Sequence, residues 1–554
     1  MTSGKTQQTP RTWFFAAAVF VVGFAGLIWN IEGSGVAAPW SDPIAQVRAQ
    51  DESVYINSAL TMNRDGDWMT PRLTGRIFPQ KPPLLMWMCV LAIRIFGLSL
   101  FAVRLPAIAL GAAGASAVFV WTARARSLPA GLLAAGLLLL SPLWQAFSRL
   151  CYTDVLCSGL AALALMCVAL DPQLEHRRTR ILCGALGGAA ILAKSVAGIL
   201  PFAALLLYWL LIDRPQRPRF SRVGEVALWG AVAAAPWHVY EACAYPQWFW
   251  ADYVQFELLG IGLHPQSQGT FDRSVFRYAA RVASIDAVLA LLAIAGVTGA
   301  MRFRGIRRQA PALLALSWTL AAVVAIGAVQ TRSLPYVVLL APSLCVLGVV
   351  CSPRFFDRPA IVGVVLVAVA LLRVTAGREP WSLRWTAPPL EGARAMRAYY
   401  DLHRDTELVS VNTDDQFYSM TIPLPRVRYC FLDPTGFLPR FAPSYAFLGI
   451  VLTVQQFVAL PQLEPRYRAR LRAWGEDSSG PIGTTILISD PGDLALLLRA
   501  RPADYFYLPS AWVGAAGSSE ATHQLVRYSA TRAFLLRRNA RMRPQPIPRL
   551  PSPW

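Results

Sequence analysis

The 554-residue chain is 55% hydrophobic and only 15% charged, well under the ~25% of ordinary soluble domains, and its mean hydropathy is +0.41. This excludes one compact soluble domain. The formal net charge of +20 sits in short arginine clusters between apolar stretches, the pattern of cytoplasmic membrane loops, so nucleic-acid binding is not expected.

A bilayer span needs about 20 apolar residues. In chain order the candidates are 12–29, 104–122, 129–146, 154–170, 181–195, 196–212, 223–241, 275–300, 310–330, 334–350 and 358–373. The first follows Lys5 and Arg11, has no small-residue cleavage site, and reads as a retained span. The arginine-rich loops (Arg124 and Arg126; His176 to Arg180; Arg214 to Arg222; Arg302 to Arg308; Arg354 and Arg358) all fall on one side if 83–97 is not a span. Counting that segment would reverse every later one against the positive-inside rule. It is short and carries Arg94, which suits a helix lying at the outer interface. The expected topology is a cytoplasmic N-terminus and an outer, periplasmic C-terminus in a bacterial inner membrane.

The membrane domain is then 1–373, with outward loops at 30–103 and 242–274, the latter rich in aromatics (Trp248, Trp250, Tyr253). Residues 374–540 alternate helix-like stretches (391–402, 494–501) with strand-like ones (407–411, 484–489, 523–528), predicting a small α/β domain. The Pro-rich tail 541–554 reads as extended or disordered. Of nine cysteines, all but Cys430 lie in or beside apolar segments and read as small buried hydrophobes, with no disulfide framework or metal spacing.

Ionisable groups at apolar boundaries are costly and mark functional candidates. Asp51 and Glu52 stand in QDESVYINSALTM, where helical spacing puts Asp51, Tyr55 and Ser58 on one face; a solvated helix start explains them equally. Lysine is rare, Lys5, Lys81 and Lys194 against 49 arginines, so each is worth tracing. Lys81, in FPQKPPLLMWM, can snorkel to headgroups or meet a lipid phosphate. Asp154 opens a span on the outer side, where helix capping is the simpler role. Arg273, Arg332 and Lys194 also fall at outer ends of spans, as anchors or as ligand-binding cations. Together these charges suggest an outward polar site for an anionic ligand. No glycine-rich phosphate loop or Cys/His metal spacing is present.

Asp51-Glu52, Tyr55, GDWMTPRLTGR, Lys81-Pro82, FGLSLFAVRLP at 96–106 with Arg104 and Pro106, Asp154, Pro236-Trp237 and RSLPY ending at Tyr336 form an ordered set. In that order they resemble the GT-C superfamily of membrane glycosyltransferases, and most of all its lipid A aminoarabinose transferase branch. Relatives carry a glycine after the lysine matched by Lys194, where this chain has Ser195, and have thirteen spans against the eleven counted here. The resemblance implies an α-helical polytopic fold with juxtamembrane helices and an outer soluble domain. It also implies a polyprenyl-phosphate-linked sugar donor, of undecaprenyl type, and an acceptor such as lipid A or another envelope glycolipid. Asp51 is carried over as the catalytic carboxylate, with Glu52 and Tyr55 beside it and Asp154 as a second carboxylate. Lys81, Arg273 and Tyr336 match phosphate contacts, and Lys194 and Arg332 are added as cations on the same side.

The chemistry agrees with those roles. Cleaving a sugar–phosphate bond builds negative charge on the leaving phosphate, which fixed cations stabilise, and a carboxylate can take the acceptor's proton. An inverting, single-step transfer without an obligatory metal is expected, although Asp51, Glu52 and Asp154 offer oxygen ligands that could hold a divalent cation. The alternatives are a protein O-mannosyltransferase-like enzyme, a flippase for a lipid or organic anion, and a non-catalytic scaffold.

Overall fold

The computed structural model describes residues 10–29, 31, 50–73, 76–260, 273–302, 309–330, 332–375, 408–412, 428–432, 443–480, 482–500, 505–509, 523–527 and 532–537. The helix expected at 391–402 and the tail 541–554 lie outside them. The chain divides into two compact units, one of Met1–Gly35, Lys81–Glu241 and Glu257–Arg384, the other of Val36–Gln80, Ala242–Phe256 and Trp385–Trp554. Parts of both outward loops therefore group with the C-terminal region.

The first unit is a bundle of apolar helices, and the chain is a multi-pass membrane protein. Among the described residues, five helical stretches are long and apolar enough to cross a bilayer, or up to seven if each bent pair is one span. The other expected spans appear as shorter, broken or more polar helices. Leu84–Phe96 has 13 residues and reaches only ~20 Å, short of the ~30 Å hydrocarbon core. The stretch Arg177–Leu211 doubles back, as two separate predicted spans require: Ser195 has φ 40°, and the Tyr208 hydroxyl returns to donate to the Pro172 carbonyl at 3.3 Å.

Two expected spans are bent, each for a local reason. Residues 275–300 are one expected span, but Val275–Ile285 and Ala287–Met301 meet at 119°. Asp286 causes the break by capping the second helix, its Oδ1 accepting from the Leu289 N–H at 3.1 Å. Leu128–Leu140 and Pro142–Ser148 meet at 66°, where Ser141 caps the second helix through the Trp144 N–H and Pro142 cannot continue the first.

Small residues let the bundle close. A Cβ on Gly159 would lie 2.4 Å from the Leu110 carbonyl, so Leu100–Ala125 and Thr153–Leu170 cross there in backbone contact. Trp121 of Leu100–Ala125 stacks on Trp318 of Ala310–Ala328, with centroids 6.3 Å apart, and donates its indole N–H to the Pro311 carbonyl.

The second unit carries a seven-stranded sheet of β3 (Leu408–Asn412), β4 (Arg428–Leu432), β5 (Val451–Thr453), β6 (Thr485–Ile488), β7 (Tyr505–Pro509), β8 (His523–Arg527) and β9 (Arg532–Arg537). Its order is β5-β6-β4-β3-β7-β9-β8. The first five in that order pair in parallel, and β9 and β8 close the edge antiparallel. The parallel pairs and intervening helices such as Leu460–Ala473 and Pro491–Ala500 make this an α/β domain. The same unit holds helix Gln50–Asp65, ended by Gly66 at φ 75°, and a short hairpin, β1 (Arg72–Leu73) with β2 (Arg76–Ile77).

Candidate functional site

In the membrane unit, Asp154 enters in the first turn of Thr153–Leu170, and Lys194 is the last residue of Arg177–Lys194. The Lys194 Nζ donates to Asp154 Oδ1 at 2.5 Å, with the two side chains 15% and 2% exposed. The same ammonium lies 5.4 Å from the centroid of the Tyr336 ring. The helix N-cap is Tyr152, whose side chain does not cap the helix, so Asp154 stands inside the first turn and not at the capping position. Ser158, one turn on, donates to the Val338 carbonyl at 2.8 Å and ties the Tyr336 segment to this helix. Three residues picked from the sequence are thus brought together: a buried acid, a lysine and a phenol.

Lys81 meets a group that the sequence reading passed over, forming an ion pair with Glu257 of the π-helix Phe249–Gly260. Glu257 is largely buried, and its Oε2 has no hydrogen-bond partner. No signal singled it out, because one glutamate in an aromatic stretch looks like a solvated loop residue. Arg332 is 4% exposed and donates to the carbonyls of Ile326 at 2.9 Å, Gly327 at 2.7 Å and Arg273 at 2.7 Å. It satisfies the end of helix Ala310–Ala328, a use of its N–H groups that competes with anion binding. The Arg273 side chain is exposed. Two further buried arginines hold the end of Pro10–Ile28: Arg149 donates to the Trp29 carbonyl at 2.7 Å and Arg104 to that of Ile31 at 2.8 Å.

In the second unit, Asp51, Glu52 and Tyr55 lie on helix Gln50–Asp65. The Asp51 side chain lies outside the described residues. Glu52 is fully buried, Tyr55 is 4% exposed, and the buried Ser58 hydroxyl has no hydrogen-bond partner. Also in this unit and outside the spans, Asp252 is buried and accepts from the Ser444 hydroxyl at 2.5 Å on Oδ1, while Oδ2 has no partner. Burial pushes its carboxyl up to about 7, with the Ser444 hydrogen bond opposing the shift. Among the described residues no group of three or more His, Cys, Asp or Glu side chains is arranged to hold a metal ion.

Chemically, the membrane unit offers two partly buried ammonium groups, each beside a largely buried carboxylate, and the second unit offers a buried glutamate and a tyrosine on one helix. Such buried ion pairs in an apolar bundle are costly unless used.

The dolichyl-phosphate-mannose-protein mannosyltransferase family matches residues 80–261. The undecaprenyl phosphate-alpha-4-amino-4-deoxy-L-arabinose arabinosyl transferase of Aeromonas salmonicida is 27% identical over 222 residues, 37% of this chain and 39% of that protein. The corresponding transferase 1 of Sodalis glossinidius is 25% identical over 354 residues, 60% of this chain and 62% of that one. The match thus spans less than two thirds of either relative's length. Among solved structures, ArnT from Cupriavidus metallidurans bound to undecaprenyl phosphate superimposes with a TM-score of 0.63 at 18% identity, covering 96% of this chain and 98% of that one. The archaeal oligosaccharyltransferase AglB from Archaeoglobus fulgidus, in complex with an inhibitory peptide and a dolichol-phosphate, gives 0.54 at 14% identity over 76% of this chain and 64% of that one. At these identities the likeness to the solved structures is one of fold.

Proposed function

Given a chain with the fold of the GT-C membrane glycosyltransferases, we propose that it transfers a sugar from a polyprenyl-phosphate carrier to an acceptor at the periplasmic face of the inner membrane. The observation that carries this reading is the Asp154–Lys194–Tyr336 cluster, with its carboxylate buried, within a fold alike, over nearly its full length, to one solved with undecaprenyl phosphate. In the proposed reaction the acceptor oxygen attacks the anomeric carbon, the bond from that carbon to the phosphate oxygen breaks, and polyprenyl phosphate leaves. Lys81 takes the negative charge developing on the phosphate, with Lys194, Tyr336 and Arg273 as further candidates for the donor's polar head. Asp51 removes the proton when the acceptor is a hydroxyl; when the acceptor is already an anionic phosphate, as on lipid A, Asp51 orients the sugar instead. Glu52 and Tyr55 support it from the same helix, and Asp154 sets the position of Lys194. Because lysines supply the electrostatic stabilisation, the step has no need of a metal.

The arabinosyl transferase relatives favour an aminoarabinose-type sugar on an undecaprenyl phosphate carrier as the donor. The family matching residues 80–261 favours a protein hydroxyl as the second reading. The test is sugar transfer in membranes supplied with labelled polyprenyl-phosphate sugar. Asp51→Asn should abolish transfer while carrier binding persists, and Lys81→Ala should weaken binding. Undiminished transfer by Asp51→Asn would remove the catalytic assignment.

A further inference from the structure

The second unit contains a connection that the reaction as described does not use. Helix Leu460–Ala473 ends in paired reverse hydrogen bonds: the Gly475 N–H donates to the Arg472 carbonyl at 3.1 Å and the Glu476 N–H to the Leu471 carbonyl at 2.9 Å. Gly475 takes φ 72°, which glycine adopts without strain, and this ending projects Glu476 away from the helix. Glu476 is 7% exposed and lands on the β1–β2 hairpin. Its Oε1 accepts from the Ile77 N–H at 2.7 Å, and its Oε2 lies 3.4 Å from the Arg76 guanidinium. Arg76 also donates to the Asp477 carbonyl at 2.6 Å.

Tyr445 completes the grip from helix Pro443–Phe447. Its hydroxyl lies 3.3 Å from each of the Leu73, Arg76 and Ile77 carbonyls, and its ring packs edge-on against Phe78 and Trp248. Trp248 in turn meets Trp474, the residue before the turning glycine. Between helix Gln50–Asp65 and the hairpin the chain is short and tied: the Met69 and Thr70 N–H groups donate to Asp67 Oδ1 at 3.1 and 3.2 Å.

We infer that the C-terminal α/β domain acts as a clamp on the first outer loop, with Glu476 as the positioning residue that fixes the β1–β2 hairpin and, through it, the helix bearing Asp51 and Glu52. This rests on the reading of those two carboxylates as part of the reaction site. A buried carboxylate holding both a main-chain N–H and a guanidinium sets register more tightly than apolar packing does, because a shift of one residue leaves all three groups unpaired. The carboxylates lie in the clamped unit and Lys81 in the other. Loosening the clamp therefore acts on turnover and spares the grip on the donor.

The experiment compares full-length wild type, Glu476→Ala, Glu476→Gln and Glu464→Ala, reading both amide hydrogen exchange across 66–80 and transfer kinetics. Glu464, in a half-buried pair with Arg468 on the same helix, is the control. Expected for Glu476→Ala are faster exchange across 66–80 and a kcat lower by about ten- to a hundredfold, with the donor KM moved less than about threefold. Glu476→Gln, which keeps an acceptor for the Ile77 N–H, should recover part of both, and Glu464→Ala should match wild type. Unchanged exchange in Glu476→Ala would overturn the clamp. Faster exchange with unchanged kcat would overturn its role in positioning. Absence of transfer by the wild type would instead strike the proposed function, and the exchange data would still decide whether the clamp exists.

Discussion

Asp154 and Lys194 make the most demanding residue-scale arrangement, because the carboxylate is buried and the ammonium beside it is mostly covered. Removing one partner strands the other, at a cost of about 3–5 kcal/mol, whereas replacing both with apolar side chains of similar size costs much less. Asp154→Ala should therefore lower the thermal unfolding temperature in detergent markedly, and Asp154→Leu combined with Lys194→Met should restore most of it. If the pair serves the reaction, transfer stays lost in the stable double variant. A double variant as unstable as the single one would mean that the pair is not an energetic unit.

Asp252 gives a second test at the same scale. Its carboxyl moves from an ordinary 3.8 to about 7, chiefly through burial. Between those values the folded protein holds a proton that the unfolded chain has released. Its contribution is therefore fully present below pH 3.8, declines by up to about 1.4 kcal/mol per pH unit, and is gone above about pH 7. Denaturation followed from pH 4 to 8 should show this fall, and Asp252→Asn should flatten it. An equal slope in the variant would assign the dependence to other groups.

Elements were legible in the sequence where a single period ruled. The apolar runs at 12–29, 104–122 and 154–170 appear as Pro10–Ile28, Leu100–Ala125 and Thr153–Leu170, and strands near 408, 485 and 523 fall where β-rich runs stood. The breaks at Asp286 and Ser141 were not read because each run is apolar enough overall to count as one span, although Asp286 and the Ser141-Pro142 pair stand in the sequence as capping residues. Strands at Arg428–Leu432 and Tyr505–Pro509 were not legible: the first pairs in parallel with both neighbours, and the second finds its antiparallel partner β9 only beyond β8, so no tight hairpin announces either. Site residues divided similarly. Lys81 and Lys194 stood out by rarity, but their partners differ in legibility: Asp154 opened a span, while Glu257 looked ordinary.

Helix crossings provide the element-scale prediction. The backbone contact at Gly159 has no room for a methyl group, since its Cβ would meet the Leu110 carbonyl, which cannot rotate aside as a side chain could. Gly159→Ala should destabilise the bundle by about 1–3 kcal/mol. Gly224→Ala, at a glycine with nothing within 4 Å of the added Cβ, should leave it unchanged or slightly more stable. Equal melting of the two variants would contradict the packing described.

At the scale of the whole molecule, an apolar bundle holds buried ammonium–carboxylate pairs, and an α/β domain holds the loop with the candidate acids. A carrier of lipids needs the first feature and gains nothing from the second, whereas a transferase uses both. The most direct measurement incubates the purified protein in vesicles with polyprenyl-phosphate sugar labelled in both halves, together with an envelope glycolipid acceptor. The account predicts that the sugar label appears on the acceptor and that the lipid label is recovered as free polyprenyl phosphate in equal amount. Movement of the intact donor between leaflets with no cleavage of the sugar–phosphate bond would contradict it.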